Sequence, residues 1–220
     1  RAYMPINFRQ VIMEYGYPLI SKEQSQFIRE FRTTKSDKLK TLRIEGNLKG
    51  RGKISKIWMP LAYSDIPVSE KCCNVMKKTP AKVYEKMTGR HPYIGTMAEE
   101  SKLRESNWIR YGCNAFDKDR PTSQPLSFWT NQDVLSYLRQ FKIPYASIYG
   151  EIREREVLYT TGVDRTGCIF CGFGCHLDKH PNRFEKLKIT HPQLYEYCMK
   201  SIEDGGLGMD SVLSFIGVNH

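Results

Sequence analysis

The spacing of hydrophobic and polar positions along the chain predicts alternating helices and strands. Residues 22–34 open with a serine cap and have the composition of a helix, whereas residues 54–63 are apolar and β-prone and predict a strand. An amphipathic helix over residues 131–141 is predicted to align its apolar side chains on one face, namely Val134, Leu135, Leu138 and Phe141. Alternating elements of this kind favour an α/β fold with a parallel-rich, twisted sheet flanked by helices.

Other segments extend this pattern. Ser69 precedes a helix that we expect Pro80 to break. Residues 91–97 predict a short buried strand, and residues 98–111 predict a helix. Residues 183–220 are rich in helix formers and predict a helical C-terminal tail.

The length and composition predict a single domain over residues 1–220. The chain has 220 residues, of which 40% are hydrophobic, which is enough for a proper core. No apolar run approaches the length of a membrane span, and no secretory segment is visible. We therefore expect a protein that has no membrane partner and is cytoplasmic, where thiols stay reduced.

The net charge of +10 is concentrated in one segment. Residues Arg29–Lys56 hold ten Lys or Arg residues against three acidic residues, and their glycine-rich centre lies at residues 46–53. This composition predicts a basic insertion or loop. Two interpretations stay open: the segment binds phosphates, as in a nucleic-acid partner, or it is a solvated basic face.

Four of the seven cysteines have a spacing that predicts a metal centre. Cys72 and Cys73 are adjacent, and Cys168 and Cys171 follow much later in a CxxC pattern. Four thiolates hold an iron–sulfur cluster, and a zinc site is the alternative because CxxC also occurs in zinc knuckles. Tandem cysteines suit one tetrahedral zinc less well, because adjacent helical side chains diverge by about 100°. Cys175 is a possible further ligand.

A lysine accompanies the paired cysteines. Lys77 lies four residues after Cys73, which on a helix places its ammonium group on the face next to that thiol. A cluster held by four thiolates is negatively charged, so a nearby cation stabilises it. This segment, CCNVMKKTP over residues 72–80, resembles the cluster-binding segment of assimilatory sulfonucleotide reductases, the adenylylsulfate and phosphoadenylylsulfate (PAPS) reductase family. Cys113 and Cys198 stand alone, and we expect both to be buried packing residues.

A second segment, GTMAEESKLR, is similar to a motif of the same family. The residues that match are Gly95, Glu100, Ser101 and Arg104. The resemblance implies that they contribute to nucleotide binding; a surface ion pair between Glu100 and Arg104 is the other interpretation. The family's arginine pair is replaced by Met97 and Ala98, which cannot bind sulfate or phosphate as arginines do.

Further passages extend the resemblance to residues 55–180. Residues 125–150 look like the family passage that leads into the CxxC turn, and Arg165 in the following RTGC sequence is predicted to face the cluster or a substrate anion. The family's SGGKDS-like phosphate loop does not occur in this sequence, and we expect it, with its strand, upstream of Arg1. The Glu-Cys-Gly-Leu-His tail that carries the reductases' catalytic cysteine does not occur either.

The resemblance implies a fold like that of the adenine-nucleotide α-hydrolase (ATP pyrophosphatase) group. It also implies a [4Fe–4S] cluster and an adenine nucleotide, either ATP or PAPS, at the carboxyl ends of the strands. The first functional hypothesis is sulfonucleotide reduction, supported by a thiol or another electron or sulfur donor protein. The second is ATP-dependent sulfur transfer to nucleic acid, which the basic segment favours. The third is a non-catalytic, cluster-stabilised subunit that binds nucleic acid.

Overall fold

The structure, a computed structural model, describes residues 6–164 and 166–220. The chain divides into two compact units. The first unit consists of Arg1–Val83 and Cys168–His220, and the second consists of Tyr84–Gly167. Each unit has its own helices and its own short strands.

The described residues contain both α-helices and short strands. The α-helices are α1 (Phe8–Tyr15), α2 (Lys22–Thr33), α3 (Asp37–Glu45), α4 (Met59–Tyr63), α5 (Thr79–Thr88), α6 (Lys102–Tyr111), α7 (Asn131–Gln140), α8 (Arg183–Thr190), α9 (Pro192–Met199) and α10 (Met209–Phe215). The strands are β1 (Leu19–Ile20), β2 (Asn114–Ala115), β3 (Thr122–Ser123), β4 (Ile152–Glu154), β5 (Leu158–Thr160) and β6 (Gly172–Phe173). A π-helical turn, Asn74–Lys78, runs directly into α5.

Local capping explains where two of the predicted helices begin. α2 begins after Ser21, whose hydroxyl accepts a hydrogen bond from a backbone amide of the first turn, and the helix buries Phe27 and Ile28. α7 begins after Thr130, which forms a capping box with Asp133. Both helices are confirmed close to their predicted limits.

Short parallel pairings form the sheet of the first unit. β1 pairs with β6 in the register Leu19↔Gly172 and Ile20↔Phe173. Just before β1, Tyr17 forms a parallel bridge with Val68. The described residues therefore contain a small parallel sheet, which agrees with the α/β class. They contain no extended twisted sheet, because each of these pairings spans only one or two residues.

The close approach of β6 to β1 requires a glycine. A Cβ atom on Gly172 would lie 2.7 Å from the carbonyl oxygen of Pro18 and 3.0 Å from Cδ2 of Leu19. Any larger residue would push the two strands apart. Since Gly172 follows Cys171 directly, this packing also determines where that cysteine lies.

The core of the first unit joins both of its chain segments. Ile12, Leu19 and Ile28 come from the first segment, and Phe184 and Leu213 come from the second; all five are almost fully buried in one hydrophobic cluster. Helices α8 and α10 carry the second group. Residues 183–220 thus pack into the core of this unit.

The prediction of a strand over residues 54–63 was wrong. These residues form a 3₁₀ turn, Lys56–Trp58, followed by α4. Pro60 lies in the first turn of α4, where its missing amide hydrogen costs no helical bond. The guanidinium of Arg32 donates hydrogen bonds to carbonyl groups at the end of this helix, those of Leu61, Ala62, Ser64 and Ile66. This cation comes from α2 and not from residues 54–63 themselves, so the composition of those residues did not reveal the helix.

Two other elements differ from the predictions. Pro80 does not break its helix, because it lies in the first turn of α5, immediately after the π-helical turn. Residues 91–97 form no strand; Tyr93 makes an isolated parallel bridge to Ser123 instead.

The second unit contains α6, α7 and two antiparallel strand pairs. β2 pairs with β3, and β4 pairs with β5. The predicted helix over residues 98–111 is present as a 3₁₀ turn, Ala98–Glu100, followed by α6. Across the described parts of both units, no helix is long and apolar enough to cross a membrane.

Candidate metal centre and nucleotide segment

The small parallel sheet brings the two groups of cysteines together. The backbone amide of Ser69 donates a hydrogen bond to the carbonyl of Tyr17, and the helix that carries Cys72 and Cys73 begins just after this point. Cys171 directly precedes β6, which pairs with β1. Both groups are therefore anchored to the same stretch of backbone, residues 17–20, although they are far apart in the sequence.

The thiols of the first unit interact with one another. The sulfur atoms of Cys72 and Cys73 are 3.9 Å apart. Burial raises the pKa of Cys72 to about 12, and the negative charges of Cys73 and Cys171 add to this effect. Burial also raises the pKa of Cys171, and the charges of Cys168 and Cys73 act in the same direction. The structure thus brings all four predicted thiols within electrostatic reach of one another.

Proximity of the thiols is not the same as a formed metal site. Within residues 6–164 and 166–220, no three His, Cys, Asp or Glu side chains are arranged as a group that could hold a metal ion. The four thiols are thus near enough to interact electrostatically, but they are not arranged around a common point as metal ligands are. The interactions act over longer distances than metal–ligand bonds, so they establish that the thiols are neighbours without establishing a coordination sphere.

Lys77 lies beside these thiols. A hydrogen bond to the Cys168 thiolate raises the pKa of Lys77, and the negative charges of Cys168, Cys73 and Cys171 raise it further, against a smaller opposing effect of burial. The residue belongs to the π-helical turn that follows Cys73. One ammonium group is therefore placed to offset the charge of three cysteines from both parts of the chain.

Cys175 lies deeper in the fold than the other thiols of this region. It is 2% exposed and belongs to the hydrophobic core cluster. Burial raises its pKa to about 11, and it interacts with Cys171 and Arg183. Elsewhere, Cys198 is fully buried and Cys113, in the second unit, is half-buried.

Arg183 also interacts with this region, and it was not predicted from the sequence as a site residue. Its guanidinium donates two hydrogen bonds to the carboxylate of Asp178, at 2.7 and 2.9 Å. It also donates to the carbonyl groups of Cys171 and Phe173, at 2.9 and 3.0 Å. Its positive charge lowers the pKa values of Cys171 and Cys175, opposing the effect of their burial. The only signal in the sequence was an acidic residue five positions before an arginine.

An open cleft of about 1040 Å³ lies beside Cys73 in the first unit. Three of its lining residues are lysines, namely Lys22, Lys71 and Lys78. Its acidic lining residues are Glu14, Glu23 and Glu70, and Glu70 forms an ion pair with Arg29 at 2.7 Å. The cleft is large enough for a nucleotide and places cations next to one of the predicted metal ligands.

The second segment singled out by the sequence lies in the second unit, and its side chains interact with close neighbours. Glu100 accepts a hydrogen bond from the backbone amide of Met97 at 2.9 Å and forms an ion pair with Arg104. The hydroxyl of Ser101 caps α6 by accepting a hydrogen bond from the backbone amide of Arg104 at 3.3 Å. A Cβ on Gly95 would meet only an ordinary contact with Leu126, at 3.9 Å. Each polar group that was predicted to bind a nucleotide thus also has a local structural partner.

Arg165 lies outside the described residues, so its predicted contact with a cluster or anion stays a prediction. The nucleotide-binding roles of Gly95, Glu100, Ser101 and Arg104 also stay predictions.

The comparison with known families places these features in context. A family model for the phosphoadenosine phosphosulfate reductase domain matches residues 21–173. The match covers most of the chain and contains Cys72, Cys73, Cys168 and Cys171, whereas Cys175 follows it. No curated protein and no solved structure gives a significant match to the chain.

Proposed function

The chain belongs to the phosphoadenosine phosphosulfate reductase domain family, and from this premise we propose that it reduces a sulfur-bearing adenine nucleotide. The family domain indicates sulfonucleotide reduction or a related sulfur transfer, and members of the family are generally enzymes. One observation carries the proposal: within the matched domain, the ammonium group of Lys77 lies beside the thiols of Cys73, Cys168 and Cys171, and Cys72 interacts with two of these thiols.

A [4Fe–4S] cluster held by Cys72, Cys73, Cys168 and Cys171 is the cofactor that we propose, with zinc as the alternative. The donor set fits such a group, since it consists of four thiols without a competing carboxylate among them. When bound, a cluster of this kind supplies redox and electrostatic chemistry next to the substrate. In this proposal Cys175 supports, from the core side, the segment that contains Cys168 and Cys171, which we call the cysteine loop.

The other side chains of the site would bind and orient the substrate. Lys77 holds the anionic thiolates together and presents a cation to the sulfate end of the nucleotide. Lys22, Lys71 and Lys78, in the cleft beside Cys73, offer ammonium groups to the phosphates. Reduction of bound PAPS would break the sulfur–oxygen bond to the adenylate and release sulfite and adenosine 3′,5′-bisphosphate, while a dithiol donor would supply the electron pair and become a disulfide.

ATP-dependent sulfur transfer to nucleic acid is the second candidate. It is favoured by the absence of an arginine pair at Met97 and Ala98, because ATP carries no sulfate for such a pair to recognise. The exposed cations of the basic segment also favour it. The same adenine-nucleotide cleft would serve both reactions, so the second substrate is what distinguishes them.

The two candidates differ in the product that they form. We expect protein purified without oxygen to release sulfite from PAPS in the presence of a dithiol, and to leave nucleic acid unmodified when ATP and a sulfur donor are supplied. Ion chromatography measures the sulfite, and mass spectrometry of digested nucleic acid measures thiolation. Thiolated nucleosides without sulfite release would replace the first candidate by the second. Neither product, together with no adenylate binding, would refute both.

The cofactor is tested separately by iron, sulfide and zinc analysis of the same protein. Cys72→Ser or Cys171→Ser should abolish bound iron, whereas Cys113→Ser in the second unit should leave it unchanged. Lys77→Ala should keep the iron but lower the reduction potential, because a cation beside the thiolates is lost. Lys82→Ala, on the exposed surface of α5, is the matched control. Stoichiometric zinc without iron would contradict the cluster.

A further inference from the structure

The structure separates the cations of the basic segment into two groups. Three arginines are bound within the fold: Arg29 pairs with Glu70, Arg32 binds the end of α4, and Arg43 pairs with Glu30 at 2.6 Å. The other seven cations are exposed, and none has an ion-pair partner within the described residues: Lys35, Lys38, Lys40, Lys49, Arg51, Lys53 and Lys56. Only two exposed acids share the segment, Asp37 and Glu45. The charge excess noted in the sequence therefore belongs to the surface.

The centre of this segment, residues 46–53, is a structured loop, which we call the basic loop. The side-chain oxygen of Asn47 accepts hydrogen bonds from the backbone amides of Lys49 and Arg51, at 2.9 and 3.0 Å. The backbone amide of Asn47 donates to the carbonyl of Arg51 at 2.8 Å. At the base of the loop, Arg43 donates to the carbonyl of Gly52 at 2.6 Å and stacks on Phe27. Arg43, which is bound within the fold, thus anchors the loop to the core.

The tip of the basic loop combines an apolar side chain with two cations. Leu48 is fully exposed, and Lys49 and Arg51 follow it. An isolated exposed leucine on a loop that is held by its own hydrogen bonds gains nothing for the folded unit, because it buries no area there. Such a leucine next to two cations matches the apolar wedge that minor-groove proteins insert beside phosphate-binding residues.

We propose that the basic loop binds the minor groove of duplex DNA, with Leu48 inserted towards the base pairs and with Lys49 and Arg51 on the flanking phosphates. Charge complementarity selects a polyanion, and the absence of any aromatic side chain from residues 46–53 argues against a single strand, whose bases need stacking partners. The narrow groove of B-form DNA suits a single small wedge, whereas the A-form minor groove of RNA is wide and shallow. This surface is independent of the cysteine site and of the reduction proposed above.

Salt-dependent binding of a short labelled DNA duplex tests the phosphate contacts. Each contact contributes about 0.9 to the slope of log affinity against log salt, so Lys49→Ala/Arg51→Ala should lower the slope by about 1.8. Lys86→Ala/Lys142→Ala removes two exposed lysines of the second unit and is the matched control. An equal change of slope in the control, or no change in the loop variant, would overturn the proposal.

A second variant tests the wedge. Leu48→Ala should weaken binding about fivefold, on the scale of the lost apolar contact, without changing the salt slope. Leu103→Ala, at another exposed leucine, in the second unit, should have no effect. All six residues changed in the loop and control variants are on the surface, so the thermal unfolding of these variants should match that of the unchanged protein and exclude misfolding as a cause.

Competing probes decide whether the occupant is duplex DNA. Transfer RNA and anionic lipid vesicles are titrated beside the duplex at the same salt concentration. We expect the duplex to bind more tightly than either, and Leu48→Ala to reduce that difference. Preferential binding of tRNA, or binding of vesicles that Leu48→Ala abolishes while duplex binding is unchanged, would overturn the assignment.

Discussion

The cysteine region of the first unit and the Gly95–Arg104 segment of the second unit were both predicted to contain functional side chains. The two regions differ in how far apart in the sequence their interacting residues are. In the cysteine region, Lys77 interacts with Cys168, a residue that is far from it in the sequence. In the second, Glu100 and Ser101 interact with residues three or four positions away. Convergence of distant side chains uses the fold and is therefore evidence for a site. Local pairs of this kind occur on any helix and carry less information about function.

The largest effect is expected when the pairing of β1 with β6, which brings the two groups of cysteines together, is disrupted. Gly172→Ala should lower the free energy of unfolding by about 2–3 kcal/mol, because the new Cβ collides with the carbonyl of Pro18. Chemical denaturation of the two proteins measures this loss. Gly167→Ala is the control, since a Cβ there meets no atom within 4 Å. Equal stability of both variants would show that the strand can shift without cost.

A smaller loss should follow when the support behind Cys171 is removed. Arg183→Met should cost about 2 kcal/mol, because the charged hydrogen bonds to Asp178 and to two backbone carbonyls are lost. Bound iron should also decrease, since the cysteine loop is no longer held. Denaturation and metal analysis measure the two effects. Full stability in the variant would mean that the loop needs no such support.

The same pair predicts a dependence on pH. Hydrogen bonding by Arg183 lowers the pKa of Asp178. A carboxyl group with a lowered pKa stabilises the fold above its unfolded pKa of about 4, and this contribution is lost as the pH falls through the folded value. The stability difference between the unchanged protein and Arg183→Met should therefore be larger at pH 7 than at pH 3. A difference that is constant with pH would assign the effect to the backbone contacts alone.

In the second unit we expect a structural effect without a large functional one. Ser101→Ala should cost about 1 kcal/mol of stability, because the cap of α6 is lost, while the Kd for adenylate changes little. Equilibrium binding of a labelled adenylate and thermal unfolding separate the two. Tenfold weaker adenylate binding that Ser101→Thr restores would return this residue to the nucleotide site.

The smallest effect is expected for the ion pair between Glu100 and Arg104. A double-mutant cycle with Glu100→Gln and Arg104→Met should give a coupling of about 0.3 kcal/mol, since both side chains are more than a third exposed. The coupling should shrink further at high salt. A coupling above about 1 kcal/mol that salt does not affect would show that this pair is part of a buried, functional arrangement.

Features that depend on neighbouring residues could be predicted from the sequence. The starts of α2 and α7 follow from Ser21 and Thr130, whose side chains act within one turn of the helix. Residue type and spacing also selected the four thiols and Lys77 as neighbours, and their role as ligands and counter-charge of a metal centre stays a prediction. The predicted α/β class agrees with the small parallel sheet, although the strands predicted at residues 54–63 and 91–97 do not form.

Features that depend on the approach of distant segments were decided only by the tertiary structure. Residues 54–63 are β-prone, yet they form a helix whose last carbonyl groups are bound by Arg32 from α2. Arg183 was not predicted, because its partners at Cys171 and Phe173 are backbone carbonyls, which every residue has. The composition does not distinguish among the ten cations between Arg29 and Lys56. In the structure, three of them, Arg29, Arg32 and Arg43, are bound to groups within the fold. A sequence specifies which groups can form hydrogen bonds and ion pairs, whereas the packed chain decides which of them meet.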